Sequence, residues 1–164
     1  MVTLAEMTPD HWEAVRGIYL EGIATGQATF QTTAPSWEDW DSSHTANCRF
    51  IALKDEEVVG WAALTPVSGR CVYAGVAEVS VYIAEKVRGN GVGSLLLNKL
   101  VEESEKNNYW TLQSSIFPEN EASIKLHQKA SFRIMGTRER IGKMNGYWRD
   151  TVILERRSTI IGID

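Results

Sequence analysis

The stretch from Val79 to Val101 constrains this chain more than any other. A strand with apolar alternation runs into Arg88-Gly89-Asn90-Gly91-Val92-Gly93, and a helix follows in which Leu96, Leu100 and Leu97, Val101 recur four residues apart. Three glycines within five residues, at the point where the chain enters a helix, let consecutive backbone N–H groups approach an anion. The positive end of the helix dipole adds to that attraction. A diphosphate suits such a loop; a plain tight turn is the bland alternative. The commoner phosphate loops do not fit. A P-loop ends in Gly-Lys-Ser/Thr, whereas this one ends Gly93-Ser94. A dinucleotide fingerprint needs G-x-G-x-x-G and an acid closing the next strand, but here the last spacing is short and Tyr109–Phe117 carries no acid before Glu119.

The elements around this loop alternate. Thr8-Pro9-Asp10 signals a helix start, and Trp12, Val15, Ile18 and Tyr19 carry the helical period to about Gly22. A polar loop spans Ala24–Ala34, and Ser36 caps a short helix bearing Trp37 and Trp40. Arg49–Lys54 and Glu57–Pro66 read as a hairpin turned at Asp55-Glu56, and Val76–Ile83 as a third strand. After the long helix to about Asn107 come a strand, Tyr109–Phe117, and a helix, Asn120 to about Ala130. A closing hairpin pairs Phe132–Ile141 with Tyr147–Glu155 through Met144-Asn145-Gly146. Interleaved strands and helices with hairpins at both ends predict a mixed α/β (α+β) fold.

Composition excludes whole classes. With 164 residues, 43% hydrophobic and 23% charged, the chain is expected to form one globular domain over 1–164, without repeats or linkers. A net charge of −4 argues against nucleic-acid or membrane-surface binding. No apolar run approaches a membrane span, and Met1–Val15 lacks the pattern of a signal peptide. Cys48 and Cys71 read as reduced, buried or half-buried thiols of a cytoplasmic protein. His11, His44 and His127 with these cysteines make no metal-ligand spacing, so no metal is expected. His11 and His44 are expected at the surface, and Trp61, Trp110 and Trp148 in a core or an interface.

Arg88-x-x-Gly91-x-Gly93, after a strand and before a helix, resembles the acetyl-CoA diphosphate loop of the GNAT N-acetyltransferase superfamily. Asn120-x-x-Ser123-x-x-Leu126-His127, followed by Ala130-Ser131-Phe132, resembles the helix that comes later in that family. Ala77-Glu78-Val79-Ser80-Val81-Tyr82-Ile83, Leu126-His127, Ala28-Thr29-Phe30 and Gly146-Tyr147-Trp148-Arg149-Asp150 are similar to the branch of phosphinothricin and methionine sulfoximine acetyltransferases. The resemblance runs from about Thr3 to Arg156; the tail 157–164 lies largely beyond it. It implies a central, mostly antiparallel mixed sheet flanked by helices, acetyl-CoA as cofactor, a small amine as acceptor, and a homodimer.

The strand Val76–Ile83 puts Val79, Val81 and Ile83 on one face and Glu78, Ser80 and Tyr82 on the other. Taken alone, the polar face reads as solvated. The resemblance makes Glu78 the general base on the acceptor ammonium. It implies that the backbone of Val81, Tyr82 and Ile83 holds the pantetheine arm and that Arg88, Gly89, Asn90, Gly91, Val92, Gly93 and Ser94 hold the diphosphate. Asn120, Ser123 and Lys129 join the cofactor side. His127 stands where many members have a tyrosine that protonates the departing thiolate; a packed helix residue is the bland reading. Thr29, Phe30, Arg70 and Tyr73 are the acceptor-binding candidates, and Ala74-Gly75 stand where some members carry a polar or basic residue. The alternatives are another acceptor (a protein N-terminus, a polyamine, an aminoglycoside) or a non-catalytic acyl-CoA-binding module.

Overall fold

The computed structural model describes residues 1–164 and contains one seven-stranded sheet with helices on both faces. The strands are β1 (Val2–Glu6), β2 (Phe50–Lys54), β3 (Glu57–Pro66), β4 (Val76–Ile83), β5 (Thr111–Ile116), β6 (Arg133–Met144) and β7 (Tyr147–Arg157), in the order β1-β2-β3-β4-β5-β7-β6. The helices are α1 (Trp12–Ala24), α2 (Trp37–Ser43), α3 (Val92–Lys106) and α4 (Glu121–Lys129). Every neighbouring pair is antiparallel except β4 and β5. The mixed, mostly antiparallel sheet predicted from the sequence is therefore present. No helix is long and apolar enough to cross a membrane.

β1 is absent from the sequence reading. It is five residues long, its alternation is brief, and its ladder to β2 is long-range (Val2 against Lys54, Glu6 against Phe50). Thr8 begins a short 3-10 turn, Pro9–His11, that feeds α1, and its backbone N–H donates to His11 Nδ1 at 2.9 Å. The buried residues of α1 are Trp12, Val15, Ile18 and Gly22, the helical stripe. Ser36 Oγ accepts the Asp39 N–H and caps α2.

The two faces of β4 meet different helices, as its alternation predicts. On the valine face, a Cβ at Gly60 would approach Leu96 of α3 and Ile83, and one at Gly93 would approach Ile83. On the other face Tyr82 packs on α1, where Gly22 leaves room for its ring. At the start of β4, the Gly75 carbonyl accepts the N–H groups of Trp110 and Thr111 at 2.8 and 3.1 Å, and a Cβ there would lie 2.1 Å from the Trp110 ring.

The C-terminal tail turns back on the sheet. Arg157 donates to the carbonyls of Ser158, Ile161 and Gly162, and buried Ser158 donates to Glu105 of α3. Cys48 is buried, and burial pushes its thiol up to about 11. Cys71 is exposed on the β3–β4 connection, against expectation, because that turn projects from the sheet.

Candidate active site

β4 and β5 pair over only three residues, Val76–Glu78 against Thr111–Gln113, and then diverge. A cavity of about 820 Å³ opens in the gap. Its lining comes from both faces of the sheet: Glu78, Ser80 and Tyr82 on one, Val79 and Val81 on the other, with Ser114–Ile116 of β5 and Phe117 just after it, Ser123 and His127 of α4, and Thr29 and Phe30 of the loop after α1. The cavity therefore passes between the strands and joins the α1 side of the sheet to the α4 side.

Glu78 is half-buried. Ser115 Oγ and Gln113 Nε2, both on β5, lie 3.3 and 3.5 Å from its Oε1, and no donor holds Oε2. The carboxylate is thus oriented across the gap with one oxygen free. Beside it, burial raises the phenol of Tyr82, with Tyr19 and the Glu78 carboxylate adding to the effect. Tyr82 accordingly stays protonated. Thr29, which lines the same cavity, partly opposes the rise at both tyrosines, Tyr19 and Tyr82. An aromatic wall extends behind: Tyr82 stacks on Trp61 at 4.9 Å, Trp61 meets Trp40 edge-on at 5.6 Å, and Trp40 stacks on His44 at 4.0 Å.

His44 was expected at the surface. It instead lines the cavity, because the tryptophans that bury the α2 side draw its ring against Trp40 and its Nδ1 to the Trp40 carbonyl at 2.7 Å. Burial holds it below the usual histidine range, and the Arg49 charge adds to the effect. His127 is buried as well. Its Nδ1 donates to the Ser123 carbonyl at 2.7 Å, and its ring stands edge-on to Phe132 at 5.2 Å. Burial again lowers its affinity for a proton. The ring is therefore neutral near pH 7, with the proton on Nδ1 and the lone pair on Nε2.

These two histidines set a pH dependence of stability. The unfolded chain takes up protons near the ordinary value, about 6.5, that the folded chain resists. The stabilisation is complete above that value and is lost as pH falls from it toward the lower value held in the fold. Thermal denaturation from pH 7.5 to 5.5 should show a falling Tm, with a shallower slope in His127→Asn. Identical slopes for the two proteins would rule out His127 as a contributor.

Gly89 and Gly91 both have φ of 82°, and a Cβ at either would meet nothing within 4 Å. Gly91 is the N-cap of α3 and supplies no side-chain cap, so the N–H groups of Val92, Gly93 and Ser94 have no intrahelical partner. The loop is a left-handed turn of the kind only glycine adopts without strain, and it opens directly onto the uncapped start of α3. Arg88 Nε donates to the Ile83 carbonyl at 3.3 Å and latches the loop to the end of β4. Asn120 Oδ1 caps α4 by accepting the Ser123 N–H, while its Nδ2 donates to the Gln27 carbonyl.

Of the other candidates, Thr29, Phe30, Val81, Tyr82, Asn120 and Ser123 line the cavity. Ile83 and Arg88–Ser94 lie outside that lining, at the end of β4 and the start of α3. Lys129 is exposed at the end of α4. Arg70 and Tyr73 are not brought to the cavity: both are exposed on the β3–β4 connection, with the Arg70 guanidinium 5.7 Å from the Tyr73 ring centre.

Several residues of the site had no role assigned from the sequence. Gln113 and Ser115 show the same polar alternation on β5 that singled out Glu78 on β4, which is the signal that could have found them. Arg149 donates to the Gly26 carbonyl and to Gln27 Oε1, both at 2.6 Å, pairs with Glu119 at 3.2 Å, and lies 3.6 Å over the Phe117 ring. It fastens β7 to the loop that carries Thr29 and Phe30. Gly142 of β6 makes room for the Phe30 ring, which a Cβ would meet at 2.9 Å.

Residues 9–132 match the Acetyltransferase (GNAT) family. Phosphinothricin N-acetyltransferase of Alcaligenes faecalis is 30% identical over 94% of this chain and 81% of its own. L-methionine sulfoximine/L-methionine sulfone acetyltransferase of Pseudomonas aeruginosa is 32% identical over 60% of this chain and 58% of its own. Among solved structures, a GNAT superfamily phosphinothricin acetyltransferase from Sinorhizobium meliloti in complex with AcCoA superposes with a TM-score of 0.86 at 27% identity, covering 95% of this chain and 88% of that one. Ribosomal-protein-alanine N-acetyltransferase from Brucella melitensis gives 0.88 at 27%, covering 95% and 99%.

Proposed function

Since the chain belongs to the GNAT acetyltransferase family and is an acetyl-CoA-dependent N-acetyltransferase, we propose that its acceptor is the primary amine of a small amino-acid-like compound of the phosphinothricin or methionine sulfoximine type, with Glu78 as general base. The observation that carries this reading is the placement of Glu78. Its carboxylate stands at the mouth of a gap that runs through the sheet, held at Oε1 from β5 and free at Oε2. Cofactor binding alone needs no carboxylate there. The names of the relatives at 30% and 32% identity support the acceptor class.

Bound acetyl-CoA supplies an acetyl group activated as a thioester. The residues present suit it: the uncapped N–H groups of Val92, Gly93 and Ser94, with the open left-handed turns at Gly89 and Gly91, would hold the diphosphate. Val81 and Tyr82, past the point where β4 loses its β5 partner, would hold the pantetheine arm by their main chain. Asn120 and Ser123 would flank it.

Glu78 Oε2 takes the proton from the acceptor ammonium, which frees the nitrogen lone pair for attack. Ser115 and Gln113 keep the carboxylate turned toward the gap. Tyr82, protonated, offers a hydrogen-bond donor beside it. His127 presents Nε2 as an acceptor, so it passes a proton to a leaving thiolate only after it has gained one. We also place a second copy of the chain against the β6–β7 hairpin, where Met135, Tyr147 and Trp148 are about half exposed or more.

Thiol release from acetyl-CoA, measured across phosphinothricin, methionine sulfoximine, a polyamine, an aminoglycoside and a peptide with a free N-terminus, tests this reading. Turnover should be confined to the first two. CoA binding with no turnover on any amine would favour a non-catalytic module, and turnover confined to the peptide would move the acceptor to a protein N-terminus.

A further inference from the structure

Arg138 is the one arginine or lysine among the residues lining the cavity, and no acid pairs with it in the structure. It sits on β6 at the edge of a bulge. The register runs from Arg138 opposite Thr151 to Gly142 opposite Arg149, so four steps along β6 match two along β7. The surplus is absorbed at Arg140, whose φ is 46° and whose N–H donates to the Asp150 carboxylate at 2.8 Å. Bulges of this kind bend a strand and re-aim its side chains. Here Arg138 and Ile141 are both turned to the cavity.

The sheet register also places Arg138 on the same face as Glu78. Glu78 lies beside Gln113, and Ser115, two residues on, opposes Ile153. Thr151, two residues before Ile153, opposes Arg138. Side chains directly across a sheet, or two apart along a strand, share a face. That face carries Glu78 and Tyr82 and looks toward α1, whereas α3, whose N-terminus would hold the diphosphate, packs on the opposite one. The Arg138 charge therefore belongs to the acceptor side. Three strand spacings and four residues of rise separate it from Glu78, roughly 15–20 Å between backbones. An acceptor whose amine meets Glu78 and whose chain extends toward β6 turns its end remote from that amine to the guanidinium.

We propose that Arg138 is a specificity residue that binds an anionic group, a phosphinate or carboxylate, at the end of the acceptor distal to the amine. The proposal rests on the amino-acid-like acceptor reading above. The guanidinium makes bidentate, charge-assisted hydrogen bonds to such a group and gains far less from a neutral one of the same shape.

Phosphinothricin and methionine sulfone make the comparison direct, since one ends in an anionic phosphinate and the other in a neutral sulfone of similar shape. In the wild-type enzyme kcat/KM should favour the phosphinate. Arg138→Gln should lower kcat/KM for phosphinothricin roughly 10- to 100-fold, chiefly through KM. It should leave methionine sulfone within about two- to three-fold, on the near-neutral effect usual at exposed positions, and the KM for acetyl-CoA unchanged. Arg138→Lys should recover part of the loss. Equal loss on both acceptors, no loss on either, or a rise confined to the KM for acetyl-CoA would each overturn the proposal while the acceptor reading stands. If the wild-type enzyme acetylates neither compound, the acceptor reading itself fails and the role of Arg138 falls with it.

Discussion

Glu78→Gln should lower kcat by about 100- to 10,000-fold, the usual contribution of a positioned general base, and leave the KM for acetyl-CoA close to wild type. Glutamine keeps the shape of the side chain and an oxygen for Ser115 Oγ to bond, but it offers no carboxylate to take a proton. The residual rate should climb with pH, because solvent then deprotonates the amine in place of the side chain. Steady-state kinetics from pH 6 to 10 with whichever acceptor gives turnover would decide the matter. A variant with full rate over that range would mean that the proton leaves by another route and that Glu78 serves only to hold the strands.

The second large effect is on stability. Gly75→Ala sets a Cβ 2.1 Å from the Trp110 ring at the position where β4 and β5 begin to pair. Neither side gives easily. The Gly75 carbonyl is bonded to the N–H groups of Trp110 and Thr111, and the Trp110 carbonyl to the N–H of Ser158. Overpacking of this kind costs about 1–3 kcal/mol or more, which at this chain length lowers Tm by roughly 2–4 °C for each kcal/mol. The strain also falls three residues before Glu78, so activity should drop with stability. Trp110→Leu removes the clashing ring, and in that background Gly75→Ala should cost clearly less than it does alone. Costs that simply add would place the strain elsewhere.

These two positions show how unevenly the sequence discloses the molecule. Glu78 could be marked because strand alternation projects chemistry onto one face and a known pattern of residues surrounded it. The glycine loop was legible for a related reason: positive φ and an uncapped helix start leave a local trace in residue type. Gly75 carried no such trace. Its constraint comes from Trp110, a residue brought to it by the sheet alone. β1 escaped because five residues of weak alternation become a strand only when β2 is beside them. His44 looked solvated until Trp40 and Trp61 were seen to gather around it. Arg138 was invisible because its face is fixed by its pairing with Thr151, a residue of the next strand. Local patterns were readable; contacts made by the register of distant strands were not.

The early parting of β4 and β5 has a consequence for how such an enzyme can change. Past Glu78 and Gln113 the two strands present main-chain groups to the gap, and the start of α3 does the same at the glycine loop. Amino-acid replacement does not delete a main-chain N–H, proline apart. The opposite wall is made of side chains on a loop and an edge strand, Thr29, Phe30, Arg138 and Ile141, and each can be exchanged in a single step. Random mutagenesis should therefore yield variants that have moved to new amines far more readily than variants that have moved to a new acyl carrier.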